Sequence, residues 1–119
     1  PVVFYKDWVY LTMGQFASNS SSIIALDAKT GRQQWIFPSN GHMQIPAISD
    51  DILYVATGDY SEEGIIFALD PRTGQIRRKM NLGYGPPIHA PVIADGILYQ
   101  NFFDVLVALG CCGSATSTP

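Results

Sequence analysis

The chain repeats itself with a period near 45 residues. Pro1-Val2-Val3, Pro46-Ala47-Ile48 and Pro91-Val92-Ile93 stand 45 residues apart at each step. Trp8-Val9-Tyr10-Leu11 lines up with Ile52-Leu53-Tyr54-Val55 and with Ile97-Leu98-Tyr99-Gln100. Ile24-Ala25-Leu26-Asp27 matches Phe67-Ala68-Leu69-Asp70 and, more weakly, Val107-Ala108-Leu109-Gly110. Ala28-Lys29-Thr30-Gly31 matches Pro71-Arg72-Thr73-Gly74. Landmarks that recur in fixed order at this period leave two architectures open, a paired-helix repeat or a propeller blade.

Strand chemistry decides between them. Ile52 to Thr57 is β-branched and aromatic, and Gly64 to Leu69 is a short apolar run bounded by turn residues. No stretch sustains apolar residues at i, i+3, i+4 and i+7 over three turns. The Asp-x-x-Thr-Gly element is a hairpin turn, with Asp bonding the backbone ahead of it and Gly taking the left-handed position. In the second unit, strands a to d are predicted at 46–49, 52–57, 64–69 and 75–80. The first unit has them at 2–5, 8–13, 23–27 and 33–37, and the third has three at 90–94, 97–101 and 104–109. The prediction is an all-β chain, a β-propeller segment of four-stranded antiparallel blades with two complete blades and part of a third. The units run 1–45, 46–90 and 91–110, followed by a small-residue tail at 111–119.

Composition removes other classes. Seven Lys and Arg against ten Asp and Glu give a net charge of −3, which offers no basic field for nucleic acid. No apolar run reaches the ~18 residues needed to span a bilayer. The 47% hydrophobic content speaks against disorder. The absence of an initiator Met before Pro1 reads as processing or as a piece of a longer polypeptide. Asn19-Ser20-Ser21 fits the N-glycosylation pattern, a pattern common by chance. Cys111 and Cys112 are adjacent, so they can close a strained ring, bridge two chains or stay reduced.

Ala25-Leu26-Asp27-Ala28-Lys29-Thr30-Gly31-Arg32-Gln33-Gln34-Trp35 resembles the Ala-x-Asp-x-x-Thr-Gly-x-x-x-Trp signature of the pyrroloquinoline-quinone-like (PQQ-like) propeller repeat. The second copy keeps Ala68, Asp70, Thr73 and Gly74 but carries Arg78 where the signature has Trp. The third departs at Gly110. The resemblance implies a structural role for Ala25, Asp27, Thr30, Gly31, Trp35 and their counterparts. Asp27 and Gly31 shape the turn, and Trp35 is expected largely buried at a blade–blade contact, with Arg78 in the equivalent place of the next blade. The family holds quinoprotein alcohol or sugar dehydrogenases, which carry PQQ and calcium, and cofactor-free scaffolds such as the lipoprotein subunit of the bacterial outer-membrane assembly machine. In the dehydrogenases an adjacent-cysteine disulfide packs against the quinone and follows a completed blade. Here Cys111-Cys112 follows strand c directly, which favours a chance pair.

Antiparallel order puts the a–b and c–d turns on one face, and the longer b–c and d–a loops on the other. That second face holds the candidate ligand residues His42, Asp59, Tyr60, Glu62, Tyr84 and His89, with Asn40, Glu63 and Phe103 beside them. The histidines occupy non-equivalent positions and no metal-ligand spacing appears, so neither a catalytic residue nor a metal site is predicted. The resemblance lies closest to the non-catalytic type. It implies a scaffold or binding module of the periplasm or cell envelope, without cofactor, whose partner is a protein, the remaining blades or another copy of itself. The alternative is a fragment of a PQQ-dependent dehydrogenase holding PQQ and calcium.

Overall fold

The computed structural model describes residues 2–15, 20–58, 63–84, 87, 89–102 and 106–110. Those residues form strands, turns and connectors, with no helix among them that is long and apolar enough to cross a membrane. The first sheet is an antiparallel meander of β1 (Val2–Tyr5), β2 (Trp8–Gln15), β3 (Ser20–Asp27) and β4 (Gln33–Asn40). The second contains β5 (His42–Met43), β6 (Ala47–Ser49), β7 (Ile52–Gly58), β8 (Glu63–Leu69) and β9 (Ile76–Tyr84). There β5 and β6 both pair with β7, followed by β8 and β9. The third sheet is β10 (Val92–Ala94), β11 (Ile97–Asn101) and β12 (Leu106–Gly110).

Several strands run further than the sequence predicts. The fourth strand of the first blade continues to Asn40, and that of the second to Tyr84. His42 and Met43, expected in a loop, pair with Gly58 and Thr57. So Asn40, His42 and Tyr84 stand in strands, and the connector between the first two blades is correspondingly short. The physical reason is pairing across distance: Pro38, Ser39 and Asn40 lie opposite Ser22, Ser21 and Ser20. Pro38 stands on β4, an edge strand of its sheet, which is where a proline is best tolerated in a ladder.

The alternation of side chains assigns each blade a front and a back. On the back of the first blade, Tyr10, Ile23 and Ala25 pack onto the front of the second, against Leu53, Val55, Phe67 and Leu69. On the back of the second, Tyr54, Ala56, Ile66 and Ala68 pack onto the front of the third, against Leu98, Phe102 and Val107. Two apolar seams, rather than one central core, hold the molecule together, as expected when each repeat buries its faces only against its neighbours.

Each complete blade carries a register shift at the same point, after Ala25 in one and after Ala68 in the other. The inserted residues are Gln34 and Arg77. A bulge re-aims the side chains beside it. In the second blade it lets the Arg77 guanidinium turn back to the Asp70 carboxylate at 2.7 Å.

Candidate functional site

The signature residues meet where the first two blades join. Trp35 leaves β4 opposite Ala25 and lays its ring over the turn of the second blade. Its indole N–H donates to the Pro71 carbonyl at 3.0 Å. The Tyr10 hydroxyl donates to the same oxygen at 2.7 Å. The Tyr10 ring stands 5.9 Å from the Trp35 ring and is stacked at 6.4 Å on Trp8. Gly74 lies directly beneath the indole, so that a Cβ there would sit 2.6 Å from Trp35 Cε3. Trp35 is half-buried, not largely buried as the sequence suggests. It stands on the outermost strand, where one side of the ring remains at the rim. Arg78 occupies the equivalent place opposite Ala68 and is exposed.

The turn aspartates are engaged by their own loops. The Asp27 carboxylate accepts the backbone N–H of Lys29 at 2.8 Å and of Thr30 at 3.1 Å, and these bonds hold its carboxyl below the usual range. Asp70 accepts from Arg77 at 2.7 Å, from the Arg72 backbone N–H at 2.9 Å and from Arg72 Nε at 3.4 Å. The Arg77 guanidinium is the main cause of its lowered pKa, followed by the Arg72 N–H. The hydroxyls of Thr30 and Thr73 accept from Arg32 and Gln75, closing the turns, and Gly31 and Gly74 adopt φ of 76° and 77°.

A carboxyl whose folded pKa lies below its unfolded value stabilises above that unfolded value and loses the stabilisation as pH falls through the folded one. For Asp70 that window opens below about pH 4. Melting temperature should therefore drop on acidification through that range, and Asp70→Asn should melt lower at neutral pH with a flatter acid limb. Parallel acid limbs in the two proteins would remove Asp70 from the explanation.

Beside this seam lies a cluster that the sequence does not announce. Asp51 accepts from the Tyr5 hydroxyl at 2.8 Å and from Lys6 Nζ at 3.4 Å, and pairs with Arg72 Nη1 at 3.3 Å. The Tyr5 bond is the chief cause of the lowered Asp51 pKa and of the raised Tyr5 pKa. These groups, with Trp8, Tyr10 and Pro71, line a pocket of about 50 Å³, room for little more than water. The cluster ties the a–b turn of one blade to both turns of the next. It confirms that the a–b and c–d turns share a face.

The opposite face is less concentrated. His42 is exposed on β5, and His89 is exposed in the next connector, with its carbonyl accepting Gln100 Nε2 at 2.6 Å. No described contact joins the two histidines. Tyr84 ends β9, opposite Glu63. Asp59, Tyr60, Glu62 and Phe103 lie outside the described residues, as do Asn19, Cys111 and Cys112. Among the described residues no group of three or more His, Cys, Asp or Glu side chains converges in a way that would hold a metal ion. Sequence reasoning passed over Gln100, which is buried, with its Oε1 unpaired. The available signal was a polar residue in the column that holds Leu11 and Val55 in the other repeats.

Residues 7–107 match the model of the family described as outer membrane protein assembly factor BamB. No curated protein matches the chain. Among solved structures, a europium-containing methanol dehydrogenase superposes with a TM-score of 0.68 at 16% identity, covering 92% of this chain and 22% of that one. BamB from Moraxella catarrhalis gives 0.59 at 14% identity, over 90% of this chain and 41% of that one. The computationally designed Ika8 protein gives 0.58 at 16% identity, over 90% and 44%. The chain thus spans less than half the length of each of these structures. Likeness at these identities establishes the β-propeller fold.

Proposed function

The chain belongs to the PQQ-like repeat family described as outer membrane protein assembly factor BamB, and from that premise we propose that it is a non-enzymatic scaffold or binding module, one sector of a larger propeller of the cell envelope. The observation that carries this reading is where the signature residues spend their chemistry. Trp35 is used to dock on Pro71 and Gly74, and the Asp27 and Asp70 carboxylates are used to close their own turns. What remains on offer is surface for a protein partner. An extracytoplasmic, periplasmic location follows from the same family resemblance.

A calcium-bound quinone would ask for several oxygen ligands around a hard cation. Among the described residues no such acidic cluster converges. On the scaffold reading we expect no cofactor. The test supplies PQQ with calcium to the purified chain, removes the excess by gel filtration, and follows both the quinone absorbance and dye-coupled alcohol oxidation. The expected result is no retained absorbance and no turnover. Turnover would replace the scaffold reading with that of a dehydrogenase fragment.

A further inference from the structure

The two outermost sheets end in apolar faces of opposite kind, and the interior of the chain shows what each kind of face packs against. On the front of the first blade, Val9, Leu11, Ile24 and Leu26 stand at the register positions of Leu53, Val55, Phe67 and Leu69 in the second. Those four second-blade residues are buried beneath the first blade. In the first blade the same face carries Phe4 at 74% exposure, with Val2, Met13 and Ile36 each half open to solvent. On the back of the third blade, Val92, Tyr99 and Ala108 are paired across their sheet as Val3, Tyr10 and Ala25 are in the first. Tyr10 is fully buried against the next blade, whereas Tyr99 is 38% exposed and Leu106 beside it 65%.

We propose that a second copy of this chain covers these faces head to tail, the back of its third blade seating on the front of the first blade. Three features favour this occupant. The contact, the back of one blade on the front of another, is the one the chain already makes twice within itself. The polar detail also matches. The Tyr99 hydroxyl is the repeat counterpart of the Tyr10 hydroxyl, and Ala28, in the first turn, is the counterpart of Pro71, whose carbonyl that hydroxyl meets. Finally, exposed large apolar side chains on both end faces are a liability that association removes. Two copies bring six sheets, within the ~4–8 blades of closed propellers. The contact is heterologous, so each copy contributes one front and one back. The proposal rests on the reading of the chain as a propeller sector.

Light scattering on eluted protein at about 100 μM tests it. The wild type should show about twice 13.0 kDa. Phe4→Glu blocks the front and Leu106→Glu the back, both at exposed positions, so each variant alone should be monomeric with an unchanged sheet signal. Mixed together they should recover a one-to-one dimer, because each retains the face the other lacks. Should either variant lose its sheet signal, Met13→Glu and Val92→Glu carry the same test. A monomeric wild type, a dimer of either variant alone, or a mixture that stays monomeric would overturn the proposal. Alcohol oxidation is not read in this experiment, so its failure leaves the non-enzymatic reading standing.

Discussion

Replacing Tyr10 by alanine should remove about 3–5 kcal/mol of stability, a large part of the ~5–15 kcal/mol that small domains possess. Tyr10 is fully buried in the seam between the first two blades, stacked on Trp8 and tilted against Trp35. Truncation empties the place where the first blade meets the turn of the second. It also removes one of the two donors on the Pro71 carbonyl, leaving the Trp35 indole. Tyr10→Phe keeps the ring and should cost only the net value of one hydrogen bond, about 0.5–1.5 kcal/mol. Tyr99→Ala, at the same repeat position on an end face, should cost far less than Tyr10→Ala in a monomeric background such as Phe4→Glu. Urea titrations of the four proteins measure all of this. Equal losses for Tyr10→Ala and Tyr99→Ala would show that the seam does not depend on the covered tyrosine.

The contrast between these tyrosines shows what sequence can and cannot report. Their spacing, the Asp-x-x-Thr-Gly turns and the β-branched runs are local, and strands and blades follow from them. Which tyrosine is covered depends on the presence of a following blade, which no window around Tyr99 contains. The continuation of β4 through Pro38 to Asn40 is similarly non-local, since it is fixed by pairing with Ser20 to Ser22. The pairing of His42 with Gly58 escapes for the same reason. The Asp51 cluster joins residues 5, 6, 51 and 72, from three separate turns. Asp51 alone reads only as a turn residue, which its φ of 62° also makes it. Trp35 was legible as a docking residue but not in its exposure, because position on the outer strand decides that. Arg77 looks like one more charged residue until the register shift beside Ala68 brings it to Asp70.

The two turn glycines allow docking to be separated from backbone strain. Gly31 and Gly74 have nearly the same φ, 76° and 77°, so alanine at either position meets the same left-handed penalty, about 1–3 kcal/mol. They differ in what lies above them. A Cβ on Gly74 would meet the Trp35 ring at 2.6 Å, whereas one on Gly31 has nothing within 4 Å. Gly74→Ala should therefore cost about 1–3 kcal/mol more than Gly31→Ala, the usual penalty for overpacking. Both are best measured in the Phe4→Glu background, so that no second copy reaches the first turn. Removing the ring should remove the difference. In a Trp35→Ala protein, Gly74→Ala should cost no more than Gly31→Ala does, so the Trp35 and Gly74 changes should be clearly non-additive, as expected for residues in direct contact. If the two glycine substitutions cost the same with Trp35 in place, the indole is not seated on Gly74. Its docking would then rest on the bond to the Pro71 carbonyl and the contact with the Tyr10 ring.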